Sequence, residues 1–338
     1  MEPYYYSKMN KIQQNVYQMM KSGMTSLAAS FLVPRVDARE LQEIFFQMRL
    51  DCPDIFYAVS YKYRFYQDST NIEVVPEYLF EKKKIKEHQK AMDTRIAKLI
   101  RPAVSMTEWE KEVYIHDFIC TNVRYDKLQK QYSHEIIGPL GNGVGVCEGI
   151  AKTVKILCDA LGIWCMVAVS EANLEKKIKY RHAWNVIRIG GIYYQLDVTF
   201  DNSISHQGLI RYDYFNLDDK RFFRDHEPSI YKLPVCSDDS HSYYREKKLS
   251  FTKMEDVEKR AIQAVRKGKT LVFHWRGGYL TREVLIELLE LMEQVAVKKG
   301  KHVRASVNWA QGVLYAMFAE EEAVEKVVLE EANEGERL

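Results

Sequence analysis

Cys147 stands where a glycine-rich stretch gives way to a helical pattern, in "GNGVGVCEGIAKTVKILCDALGI" (141–163). Val154, Leu157, Cys158 and Leu161 recur at three- and four-residue steps, and Gly162 is a natural stop. That spacing predicts a helix beginning at the thiol. The backbone N–H groups and dipole of a helix start favour negative charge on sulfur, which suits a nucleophile. A lone cysteine there also fits a buried structural role, so the decision rests on its partners. Downstream, "RHAWNVIRIGGIYYQLDVTFDN" alternates on either side of Gly190-Gly191, a two-residue hairpin signal. With the glycines as the turn, Ile189 faces Ile192, Trp184 faces Asp197 and His182 faces Thr199. His182, Trp184, Asp197 and Thr199 then share one sheet face, with His182 and Asp197 as diagonal neighbours about 7–8 Å apart. An imidazole oriented by a carboxylate is a general base. Each residue alone also fits a structural role, Asp197 as a turn cap and His182 as a buried histidine. Together they make a Cys-His-Asp relay: Cys147 nucleophile, His182 base, Asp197 orienting carboxylate.

These groups need elements to hold them. Thr107 and Glu110 form a T-x-x-E capping box that opens the helix "EWEKEVYIHDFICTNV", followed by an extended "RYD". After the Cys147 helix come a strand "CMVAVS", a charged loop at 171–180, the hairpin, and a further strand read in "YDYFNL" (212–217). A helix start followed by antiparallel strands is α+β order. On the N-terminal side, a helix ending at Gly23 leads to a strand in "TSLAASFLV" and then a helix opened by an Asp37–Glu40 capping box. Alternation at Tyr57, Val59, Tyr61, Tyr63 and Phe65 and the run "IEVVPEYLF" give two further strands. Residues 251–338 repeat this order, with helices closed by Gly268 and Gly300. The expected organisation is an α-β-α-β-β module at 1–80, a helical connector at 81–104 and a central domain at 105–235. A linker at 236–250 and a second α-β-α-β-β module at 251–338 complete it.

The segments "GNGVGVCEGIAKTVKILCDALGI", "HAWNVIRIGGIYYQLDVTFDN" and "YDYFNL" resemble the three motif blocks of the transglutaminase-like superfamily, and "IHDFICTNVRYD" resembles its lead-in to the Cys helix. The resemblance covers about 105–226. It implies a papain-like fold, a Cys helix packed on an antiparallel sheet, with Cys147, His182 and Asp197 as the catalytic set. Ile150 stands where members often have tyrosine and Phe200 where tryptophan is frequent; neither change removes a catalytic group. The implied chemistry is attack of the thiolate on a peptide or protein amide to give a thioester, resolved by water or by an amine. The oxyanion would sit on the Cys147 N–H and one further donor, with Tyr125 and Trp184 as candidates. The competing reading is a peptide-binding or scaffolding protein that retains the domain without turnover; thiol reactivity separates the two.

Composition narrows the partners. Lys plus Arg number 49 against 47 Asp plus Glu, a net charge of +2 that gives no basic footprint for nucleic acid. The opening "MEPYYYSKMNKIQQ" has no apolar stretch of signal type, and no apolar run reaches membrane-spanning length. The 6 cysteines are scattered without a CxxC, which fits reduced thiols and a cytoplasmic protein. His116 and Cys120 are one helical turn apart, but no second ligand pair accompanies them, so neither a metal nor a cofactor is expected. Composition is silent on oligomeric state.

Overall fold

The computed structural model of the chain describes residues 2–176, 178, 180–205 and 208–320. The chain divides into two compact units, one of residues 1–170, 182–211 and 229–234, the other of 171–181, 212–228 and 235–338. The first begins with α1 (Tyr4–Lys8), α2 (Lys11–Thr25), β1 (Phe31–Pro34), α3 (Ala38–Asp51), β2 (Ala58–Phe65) and β3 (Asn71–Tyr78). Asn10 and Gln13 close a full capping box on α2. At α3 the box is half made: Asp37 accepts the Glu40 N–H at 2.8 Å, while the Glu40 carboxylate takes Gln13 Nε2 instead. Gly23 does not end α2. A Cβ there would lie 2.2 Å from the Phe31 ring, so the glycine lets β1 pack directly on the helix. The three strands form an antiparallel sheet in the order β1-β3-β2.

The same unit continues with α4 (Lys82–Ile100), α5 (Glu108–Asn122), β4 (Arg124–Tyr125), β5 (Val144–Gly145) and α6 (Cys147–Ala160). Then follow β6 (Trp164–Ser170), β7 (His182–Ile189), β8 (Ile192–Leu196) and α7 (Val198–Ile204). The Thr107–Glu110 box is present in full. Helix α6 is buried over nearly its whole circumference between Gly149 and Cys158, as expected of a helix enclosed by other elements. It lies against β6 and β7 of the antiparallel sheet β6-β7-β8, so the fold is α+β. Gly190 and Gly191 both have positive φ, and the β7–β8 register pairs Ile189 with Ile192 and Asn185 with Leu196, as the spacing predicts. The ladder ends at Leu196, however. Asp197 and Thr199 are not strand partners of Trp184 and His182, because Asp197 caps α7.

The second unit holds α8 (Asp219–Phe222), α9 (Tyr243–Glu246), β9 (Ser250–Phe251), α10 (Met254–Lys267), β10 (Leu271–Trp275), α11 (Arg282–Val297), β11 (Lys301–Asn308) and β12 (Val313–Glu320). Val257, Ala261 and Val265 of α10 and Leu288, Met292 and Val295 of α11 share one core with Phe273 and Leu314 of the sheet. The antiparallel strands run β11-β12-β10, again first, third and second side by side, and β9 joins β10 in parallel. The end of the expected module, 321–338, lies outside the described residues. The expected strand at 212–217 is absent. Asp213 and Asn216 are fully buried there, and Asn216 takes a left-handed φ of 56°. Asp213 is reached by Tyr244 Oη and Asn308 Nδ2, and Asn216 donates to the His241 carbonyl. Buried polar groups this dense need partners from several directions, which a turn supplies and a ladder does not.

Candidate active site

Cys147 is the first residue of α6 and is half-buried. Its N-cap, Val146, has no side-chain acceptor, so nothing from the cap side chain competes for the first-turn N–H groups. Two neighbouring contacts fix how the helix starts. The Val146 N–H donates to the Ser133 carbonyl at 3.0 Å, and β5, just ahead of it, pairs in parallel with β4. Gly149, on the first turn, packs so closely on this region that a Cβ would stand 2.1 Å from the same Ser133 oxygen.

His182 opens β7, opposite Ser170 of β6, with its side chain 18% exposed. Its Nε2 donates to Asp197 Oδ2 at 2.5 Å, and its ring also hydrogen-bonds Cys147. With Nε2 taken by the carboxylate, Nδ1 is the nitrogen left for the thiol. Asp197 is fully buried, and its second oxygen accepts the Thr199 and Phe200 N–H groups at 2.8 and 3.0 Å. A carboxylate held by three donors has no freedom to turn away from the imidazole. Burial alone would lower the His182 pKa. The Asp197 charge and hydrogen bond, then Cys147, reverse this and push it up to about 10. The ring also has aromatic neighbours, with Trp184 stacked at 6.0 Å and Phe200 tilted against it at 4.8 Å between centroids.

Glu148, next to the thiol, would be a liability if left alone, because a bare carboxylate repels a thiolate. It is instead part of a neutral cluster. Lys152 Nζ, wholly buried, lies 2.7 Å from Glu148 and 2.8 Å from Glu135, and Arg49 of α3 bonds Glu135. His134 Nδ1 is 3.3 Å from Glu148. Burial would raise the Glu148 carboxyl, but Lys152, His134 and Arg49 outweigh it and hold it well below the usual range.

The two further residues expected at the oxyanion fare differently. Tyr125, half-buried on β4, pairs with Gly145, two residues before Cys147. Trp184 donates its indole N–H to Gln195 Oε1 at 2.7 Å, and the residue is 1% exposed, stacked against the imidazole. His116 and Cys120 meet as the spacing predicts, with the sulfur 3.9 Å from both ring nitrogens, and His116 Nε2 lies 3.1 Å from Asp201 Oδ2. Sequence reading missed Asp201, Glu135 and Arg49. The Glu148–Lys152 pair at i, i+4 was a readable signal. Arg49 was not, since it reaches Glu135 across a separation of 86 residues.

Residues 94–198 match the sequence profile of the Transglutaminase-like superfamily. No curated protein matches the chain. Among solved structures, a TGase aligns at 14% identity over 53% of this chain and 53% of its own, with a TM-score of 0.29. A cysteine protease candidate from Cytophaga hutchinsonii aligns at 15% identity over 45% of this chain and 63% of its own, TM-score 0.24. A protease candidate from Parabacteroides distasonis aligns at 16% identity over 41% and 36%, TM-score 0.23. The chain thus spans about half the length of the first and less than two thirds of the others. Cys147, His182 and all but the last contacts of Asp197 fall inside the stretch that is similar to the transglutaminase-like superfamily.

Proposed function

We propose that the chain is a cysteine-dependent acyl-transfer enzyme acting on peptide or protein amides, with Cys147 as nucleophile, His182 as base and Asp197 as the orienting carboxylate. The supporting observation is that one imidazole hydrogen-bonds both the thiol at a helix start and a buried carboxylate. His182 holds the proton given up by the thiol, as an imidazolium paired with the Cys147 sulfur and stabilised by Asp197. The thiolate forms a bond to the amide carbonyl carbon, and the oxyanion is met by the Cys147 N–H at the head of α6. His182 then returns its proton to the amide nitrogen, the C–N bond breaks, and the amine leaves a thioester on Cys147. Water resolves it to a carboxylic acid, or a primary amine to a new amide; in either case His182 accepts the incoming proton and restores the thiol.

Trapping with an amide-mimicking electrophile, followed by mass spectrometry of the labelled peptide, tests this reading. Modification should fall on Cys147. Cys52, Cys158, Cys165 and Cys236 are buried, and Cys120, half-buried near the C-terminal end of α5, is the natural comparator. Equal labelling of Cys120 and Cys147 would sink the proposal and favour a binding protein without turnover.

A further inference from the structure

We propose that His116 is a positioning residue for the site: acting through Asp201, it fixes helix α7 and thereby the Asp197 carboxylate against His182. This rests on the reading of Asp197 given above. Helix α7 is 7 residues long, too short to hold its own shape without outside contacts. Asp197 is its N-cap, and Asp201 lies one turn further on, donating its N–H to the Asp197 carbonyl at 3.2 Å. Any displacement of Asp201 therefore passes directly to the backbone of Asp197. Asp201 and His116 are both fully buried, and their 3.1 Å contact joins α7 to α5. A buried carboxylate needs a donor, and here the donor comes from a different, longer helix that is firmly capped by Thr107 and Glu110. Asn202 Nδ2, donating to the Val123 carbonyl at 2.9 Å, is a second tie on the same side.

Among the groups facing His116 are Asp117 and Cys120 on its own helix and Asp201 on α7. Cys120, His116 and Asp201 repeat the residue types of the main site, yet they do not make a second relay. The Cys120 sulfur is equidistant from the two ring nitrogens at 3.9 Å, beside the ring and not in line with a nitrogen. It also sits in the last turn of α5, where the helix dipole opposes a thiolate. What remains for His116–Asp201 is mechanical. Misplacement of a reacting group by about 1 Å can lower a rate by about 100-fold, so a brace of this kind has leverage over the chemistry.

The test uses the full chain and two readouts. One is the rate of Cys147 alkylation by iodoacetamide at fixed pH; the other is the downfield NMR resonance of the proton shared by His182 and Asp197, assigned by its loss in His182→Gln. The double variant His116→Leu/Asp201→Ala removes the pair without leaving a lone buried charge. It should alkylate about 10-fold or more slowly, with the proton moved upfield and the circular dichroism unchanged. Asp201→Asn, nearly isosteric, weakens the tie from charged to neutral and should give about a 3-fold loss with a smaller shift. Either folded variant keeping the parent rate and proton position overturns the proposal. If iodoacetamide shows no preference for Cys147 in the parent, the functional reading fails instead, while the proton resonance still reports whether His116 holds Asp197 in place.

Discussion

Asp197 does two jobs with two oxygens, and they can be separated. Oδ1 caps α7 and Oδ2 holds His182. Asparagine caps a helix about as well as aspartate, so Asp197→Asn should fold like the parent. The amide, however, cannot stabilise an imidazolium and can select the wrong tautomer. Amide turnover, or the rate of electrophile trapping on Cys147, should fall by about 1,000- to 10,000-fold, as for the equivalent change in a serine relay. Trapping at the parent rate would remove Asp197 from the relay. A second consequence concerns stability. The folded His182 keeps its proton up to about pH 10, whereas an unfolded histidine loses it near 6.5. Between these values folding takes up a proton, so the contribution is complete below about pH 6.5 and declines as the pH rises toward 10. Urea unfolding across that range should show a downward slope that is shallower in His182→Gln; identical slopes would mean the His182–Asp197 pair adds nothing.

Elements were legible to the extent that their signals are local. The capping box at Thr107, the thiol at the head of a helix and the Gly190-Gly191 turn all act within a few residues, and the structure has each of them. The ladder's end was not legible, because Asp197 has the same alternation whether it pairs in a sheet or turns to cap α7. The strand expected at 212–217 failed for a related reason: aromatic alternation marks burial, and the buried Asp213 and Asn216 that force a turn find their partners far along the chain. Gly149 is another long-range requirement. Its missing side chain admits the Ser133 carbonyl to the first turn of α6. Backbone cannot yield there as a flexible side chain would. Gly149→Ala should therefore destabilise by about 1–3 kcal/mol despite alanine's better helix propensity, and should slow Cys147 alkylation by tilting the start of the helix. Chemical denaturation together with the alkylation rate checks both; an alanine variant as stable and as reactive as the parent would show that the 131–134 turn moves aside freely.

At the scale of the molecule, the N-terminal residues are part of the unit that holds the site. Tyr5 donates its hydroxyl to the Val167 carbonyl on β6 at 2.7 Å, and buried Asp51 accepts the N–H groups of Tyr5 and Tyr6. Arg49, from α3, completes the charge balance beneath Cys147, where two carboxylates, Glu135 and Glu148, meet two cations, Lys152 and Arg49. A neutral cluster there leaves the thiolate unopposed; one with a cation missing carries a net negative charge close to it. Arg49→Met should therefore act twice. It leaves a buried carboxylate short of its partner, a loss of about 3–5 kcal/mol in such settings. It also makes the first turn of α6 less hospitable to an anion, so Cys147 alkylation near neutral pH should slow. Arg49→Lys, which restores the charge but not the planar fork, should recover most of the alkylation rate and only part of the stability. The acid limb carries the sign. Glu148 is held below its unfolded value, so its contribution is complete above the ordinary glutamate range and is lost as the pH falls below that range toward the depressed folded value. With Arg49 gone the Glu148 carboxyl is less depressed and its contribution smaller, so acid unfolding of Arg49→Met should start before that of the parent. An arginine variant with the parent's acid midpoint and alkylation rate would mean that the N-terminal residues pack against the site without tuning it.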